Sequence, residues 1–100
     1  MKIIPKTFSL GGRDYTVSLV DNHLIGTNVA YIDFPKCTVT IANQFKGTIC
    51  TQDYKESTFL HELTHGILDT LGYSKLSEDE ELVEGFANLL HQYLKTAKYE

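Results

Sequence analysis

Basic excess, a cysteine framework and long apolar runs are all missing from this 100-residue chain. Nine Lys and Arg stand against thirteen Asp and Glu, a formal net charge of −4. Non-specific binding to nucleic acid or to an anionic membrane needs a positive surface, so both are excluded as a main role. No apolar stretch approaches the roughly 20 residues that span a bilayer. Near the start, Pro5, Lys6 and Gly11-Gly12 interrupt any signal-peptide core, and the chain reads as cytoplasmic. Cys37 and Cys50 are the only cysteines. Their spacing fits neither a zinc ribbon nor a redox C-x-x-C, so they are expected to be reduced core residues. There is no repeat, low-complexity segment or linker, and the length predicts one domain over 1–100. A core this small stands to gain from a bound metal.

What is present is His61-Glu62-Leu63-Thr64-His65, an H-E-x-x-H run. On a helix, positions i and i+4 share a face and stand roughly 6 Å apart along the axis. His61 and His65 can therefore aim two imidazole nitrogens at one metal ion. Glu62 lies about 100° round from His61, off the ligand axis but within reach of a water on the metal, where a carboxylate acts as general base. The bland alternative is two histidines on an ordinary amphipathic helix, and the flanks argue against it. Phe59, Leu60, Leu63, Ile67, Leu68 and Leu71 recur at helical spacing as one apolar stripe, with both histidines at its edge. Asp53 followed by Glu56 offers a capping-box start, Thr51 a nearby alternative cap, and Gly72 a stop. A helix is predicted over 54–71.

Catalytic zinc usually takes three protein ligands and keeps one position open. No third histidine follows at a fixed spacing, but an acidic helix is predicted over 78–94. Leu82, Val83, Phe86, Ala87, Leu89, Leu90, Tyr93 and Leu94 form its one broad apolar face. Glu80, Glu84 and His91 lie along one border of that face, and Glu81 points away. Acidic residues at a helix start also need no metal, since they favour the helix dipole, and Ser77 with Glu80 reads as a capping box. Beside the H-E-x-x-H run, the carboxylates rank as a third ligand in the order Glu80, Glu84, Glu81. His91, near the helix C-terminus, reads as a solvated or capping residue rather than a ligand.

These two helices resemble those of the gluzincin metallopeptidases, the thermolysin-like zinc enzymes. The H-E-L-T-H run matches residue for residue, and Asp69 falls where such enzymes carry an aspartate. They bear Glu-x-x-x-Asp on the second helix, the Glu on zinc and the Asp orienting a ligand histidine. Glu80-x-x-x-Glu84 matches with Glu for Asp, and Phe86 matches an aromatic two residues on. A second register puts Glu84 on the metal with Asn88 as its partner. In size the chain is similar to minigluzincins and ImmA/IrrE-like proteins of phages and mobile elements, with Phe86-Ala87-Asn88-Leu89-Leu90 as the F-A-x-x-L-L-like run. The resemblance covers about residues 57–94. It implies a zinc-dependent peptide-bond hydrolase with His61, His65 and Glu80 on the metal and Glu62 as general base. Glu84 would steady His61, and Asp69 would do similar work near His65.

The first half reads as strands at Ile3-Ile4, 8–10, 15–20, 28–32 and 37–42, with 47–50 as a short strand or a lead into the helix. Gly11-Gly12 suggests a hairpin, and Pro35 belongs in a turn. The expected class is α+β. A small, mainly antiparallel sheet of three or four strands packs on the motif helix and the C-terminal glutamate helix. A sheet edge beside the motif helix could capture an extended protein or peptide substrate by strand addition. Tyr31, Tyr54, Tyr73, Tyr93, His23 and His91 are open candidates for stabilising an oxyanion. Two rival readings are a catalytically silent, metal-stabilised protein-binding module and a metal-free helical interaction domain.

Overall fold

Alternating β-formers build the N-terminal half into a sheet. The computed structural model describes residues 2–21 and 29–100. In it β1 (Thr7–Leu10) and β2 (Arg13–Val20) form a hairpin across Gly11-Gly12, with Phe8 opposite and stacked on Tyr15. Next, β3 (Ala30–Asp33) and β4 (Thr38–Ala42) pair antiparallel around the turn that holds Pro35. The spatial order is β1-β2-β4-β3, and β2 runs parallel to β4 from Thr16↔Thr38 to Val20↔Ala42. The sheet is thus mainly antiparallel, with one parallel contact in its middle. That contact leaves β3 at an edge.

Several sequence expectations shift. Ile3-Ile4 is no strand; both side chains pack against the core instead. Cys37 sits in the turn before β4 with φ at 53°, and both cysteines are free and half-buried. A separate hairpin of β5 (Gln44–Phe45) and β6 (Thr48–Ile49) precedes the first helix. Its two-residue turn, Lys46-Gly47, has φ at 52° and 80°. Lysine at the first turn position is not the usual Asn or Asp signal for such a turn, so Gln44–Phe45 went unpredicted. Of the strand expected over 28–32, Asn28 lies outside the described residues, as does His23.

The motif helix, α1 (Gln52–Leu71), begins two residues earlier than predicted. Thr51 is the cap, its Oγ1 accepting from the Tyr54 N–H at 3.1 Å, while Asp53 merely occupies the first turn. Gly72 ends the helix in the left-handed conformation, φ 88°. The Tyr73 N–H reaches back to the Leu68 carbonyl at 2.8 Å and the Gly72 N–H to Asp69 at 3.1 Å, a Schellman closure. Within α1, Phe59 and Leu60 are buried in a core with Val39, Ile41, Ala30 and Ala87. Gly66 sets how closely the helix approaches the sheet. A Cβ there would stand 3.0 Å from Leu10 Cδ1 and 3.1 Å from Ile32 Cδ1, tighter than ordinary van der Waals contact.

The helix expected over 78–94 is α3 (Glu80–Thr96), two residues later at each end, and a short α2 (Ser74–Ser77) precedes it. Asp79 caps α3, its Oδ1 accepting from the Leu82 N–H at 3.1 Å. Ser77 is therefore not the cap; it ends α2 and is buried. The apolar face of α3 is also narrower than expected. Val83 and Ala87 are fully buried, and Leu90 and Leu94 pack against the core. Leu82, Phe86, Leu89 and Tyr93 stay 42%, 51%, 68% and 55% exposed, because α1 covers only one side of the helix.

His91 is not a solvated or capping residue. Its Nε2 lies 2.9 Å from Oε1 of the buried Glu56, which also accepts from Gln52 Nε2 at 3.3 Å. Lys95 Nζ lies 3.3 Å from Asp53 and 3.6 Å from Glu56. These contacts tie the start of α1 to the end of α3. Burial alone would raise the Glu56 carboxyl, but the hydrogen bonds from His91 and Gln52 and the charges of Lys95 and His91 together hold it below its ordinary 4.5. A lowered folded value means stability present above about pH 4.5 and lost as pH falls through the folded value. Glu56→Gln is expected to flatten the acid limb of a stability–pH curve. His91→Ala, which strips a charged buried acceptor of one partner, should cost about 1–3 kcal/mol in denaturant melts at neutral pH.

Candidate metal centre

One helical turn separates His61 from His65, and the rings meet edge to face with centroids 4.9 Å apart. Their Nε2 atoms stand 3.2 Å from each other. The Schellman turn at Gly72 and the short α2 reverse the chain, so the first residue of α3 returns over the motif. Glu80 Oε2 lies 3.1 Å from His61 Nε2, and Oε1 lies 3.2 Å from His65 Nε2. His61, His65 and Glu80 thus form one group of potential metal ligands.

The outer nitrogens fix the tautomers. The Glu84 carboxylate accepts from His61 Nδ1 at 2.8 Å. His65 Nδ1 donates to Ser77 Oγ at 2.9 Å, and that hydroxyl donates in turn to Asp69 Oδ2 at 3.3 Å. Each ring then carries a proton on Nδ1 and turns Nε2 inward. Two Nε2 atoms and a carboxylate converge there, a set that either a cation or protons shared between its members can hold. Tetrahedral ligands at 2.0–2.1 Å from zinc stand about 3.3–3.4 Å apart. The observed 3.1–3.2 Å separations fit that set of donors.

Glu84 therefore sits on the outer nitrogen of His61, and the register with Glu84 at the inner nitrogens and Asn88 beside it is not the arrangement observed. Asp69 acts on His65 through Ser77 rather than directly. Sequence reasoning missed Ser77 because its place depends on the α2 turn, which no spacing rule reports. The exposure of the ligands is uneven: both histidine side chains are 16% exposed and that of Glu80 is 65% exposed. The centre lies at a surface mouth, open on the Glu80 side.

Glu62 lies on the sheet side of the mouth. Burial pushes its carboxyl up to about 7 against an ordinary 4.5, and the nearby Glu80 charge adds to the rise. His61 and a backbone hydrogen bond from Ile32 on edge strand β3 hold it back. A carboxyl near 7 is poised to exchange a proton at neutral pH. Beside it opens a cavity of about 240 Å³ lined by His61, Glu62, Glu84, Tyr54, Val29 and Ala30, the first residue of β3. Of the oxyanion candidates, Tyr54 lines this cavity, whereas His91 is held by Glu56 and Tyr93 by Tyr99. Asp53, Glu56 and His91 form a second group with ligand-like spacing. There the Lys95 ammonium supplies the positive charge, so that group is an ion-pair network.

No family model, curated protein or solved structure matches this chain. Among the described residues, no helix is long and apolar enough to cross a membrane.

The Glu62 shift has a stability consequence. Its folded value lies above the unfolded 4.5, so the folded state holds the extra proton between about pH 4.5 and 7. Stability of the metal-free protein should fall over that window by up to about 3 kcal/mol. Glu62→Gln should remove the slope, as read by melts in chelator from pH 5 to 8. Glu84→Ala and Ser77→Ala, which free the outer nitrogens, should each weaken metal affinity roughly 10- to 100-fold without abolishing it; competition with a chromophoric chelator measures this.

Proposed function

We propose that this chain is a small zinc metallopeptidase of gluzincin type, with zincin-like packing of a sheet, a motif helix and a glutamate helix. The observation that carries the reading is the convergence of two inward-facing Nε2 atoms and one carboxylate, with Glu62 beside them and engaged in none of the ligand contacts. His61, His65 and Glu80 would hold the ion. A His2Glu donor set suits zinc. Zinc bound there supplies Lewis acidity, which polarises a carbonyl oxygen and acidifies water.

This chain's own residues do the rest. Glu62, near its midpoint of titration at neutral pH, takes a proton from the attacking water onto a carboxylate oxygen. It later delivers that proton to the amine nitrogen of the leaving peptide. Glu84 and the Ser77–Asp69 relay keep both Nδ1 protons in place, so the imidazoles cannot turn their acceptor atoms away. Edge strand β3 has its Ile32 N–H next to Glu62. The other outward backbone groups of this edge would align an extended protein or peptide substrate as an added strand. Tyr54, which lines the cavity, would be the oxyanion donor.

The second reading, a metal-stabilised binding module without turnover, draws on one observation. The ligands come from two helices, so an ion would cross-link α1 to α3. Against it, a structural zinc site is usually closed by four protein ligands, and Glu84, the other carboxylate on that border of α3, is occupied on His61 Nδ1.

The test is metal content of untagged protein together with peptide hydrolysis. One zinc per chain is expected, lost with Glu80→Ala. Glu62→Gln should keep the zinc and lose turnover by a factor on the order of 100 or more. Equal hydrolysis by the Gln variant would sink the mechanism, and zinc without turnover in the parent would leave the binding module.

A further inference from the structure

The exposed apolar residues of α3 are not scattered. Leu82, Phe86, Leu89 and Tyr93 recur at steps of four, three and four, the 3.5-residue period of a helix-packing seam. They lie on one border of the buried arc of α3, and Glu80 and Glu84 lie on the other, so the seam is turned away from the metal centre. The seam continues onto α1: Leu82 and Phe86 line an entirely apolar cleft of about 170 Å³ with Thr64, Ile67 and Leu68. Gly85 flanks the seam in the helix interior, where glycine weakens a helix. A Cβ there would meet nothing within 4 Å, so no contact inside this chain requires the glycine. A second helix approaching closely would.

We propose that this seam is the interface of a homodimer, in which α3 of a second copy packs antiparallel along it. Three features favour another copy of this chain as the occupant. First, the seam is self-complementary. With a two-fold axis between Phe86 and Leu89, Leu82 meets Tyr93 of the second copy and Phe86 meets Leu89, as an isologous interface requires. Second, antiparallel pairing opposes the dipoles of the two α3 helices, which parallel pairing would align. Glu80 and Lys95 lie on the far border of α3, at the metal centre and in the Glu56 network, and take no part in the seam. Third, the area suffices. The four seam residues with Ile67 and Leu71, between 37% and 68% exposed, present on the order of 600–700 Å² of apolar surface, given roughly 150–250 Å² for a whole aromatic. Counted on both copies this exceeds the roughly 1,200 Å² at which specific interfaces begin. A single seam of this kind makes two identical contacts and closes, giving a dimer rather than a filament.

Sedimentation equilibrium of the full chain, from micromolar to submillimolar concentration, tests this. The expected species has twice the 11.3 kDa chain mass. Leu89→Lys, at a position 68% exposed, should leave the circular dichroism of the monomer unchanged and weaken association by roughly tenfold or more. A spin label on Thr96→Cys should report helix-to-helix separations of about 25 Å or more in the antiparallel dimer, against on the order of 10 Å for parallel pairing. A monomer at all concentrations, or a dimer indifferent to Leu89→Lys, overturns the proposal, and a short separation overturns its antiparallel form. None of these outcomes depends on zinc or on hydrolysis.

Discussion

The seating of α1 on the sheet is the contact on which the rest depends. Gly66 carries no side chain to hold the helix off Leu10 and Ile32. The helix therefore lies close against the inner face of β1 and β3, with Phe59 and Leu60 sunk into the core. Its position fixes three things at once. The histidines are left at the core border, half-sheltered. Glu62 is pressed toward the edge strand, where burial raises its carboxyl. The outer side of α1 is left as the platform on which α3 packs.

From that platform the site is assembled by a short reversal of the chain. Gly72 stops α1 within two turns of His65, and α2 brings Ser77 under the ring. Asp79 then restarts the helix, so that its first residue, Glu80, faces the inner nitrogens. The same reversal sets Glu84, one turn further, against the outer nitrogen of His61. Two successive turns of one helix thus serve the inner and outer atoms of one ring. At the far end, Glu56, His91 and Lys95 tie the two helices again. The pair is pinned at both ends, and a cation between the histidines and Glu80 would add to an alignment the fold already holds.

The same geometry explains why α3 is apolar over more of its circumference than its own chain covers. Among the described residues, α1 and the short α2 pack against one side of it. Val83 and Ala87, the small or β-branched residues, take the tight contact, while Leu82, Phe86, Leu89 and Tyr93 are turned past it. A helix that is apolar well beyond its buried arc has more than one partner face. The seam reading follows from that excess.

Much of the site was legible in the residues alone. The i, i+4 spacing of His61 and His65 decides that two imidazoles share a face, whatever surrounds them. The position of Glu62 next to His61 decides that it stands beside the pair and not in line with it. Period-two alternation in Tyr15–Val20 and the Gly11-Gly12 turn decide the first hairpin, and Gly72 decides where α1 stops. These are local rules of backbone geometry, and the sequence by itself determined them. What only the tertiary structure decided depends on contacts between distant segments. The parallel β2–β4 contact left β3 at an edge. The α2 reversal chose Glu80 for the inner nitrogens and Glu84 for the outer one, though both occupy the same helix border. It also recruited Ser77, whose neighbours in sequence say nothing of His65. His91 became the partner of Glu56, thirty-five residues away, because a buried carboxylate must find a donor wherever the fold supplies one. No periodicity encodes such a pairing, since it is settled by which side chains share a space once the helices have met.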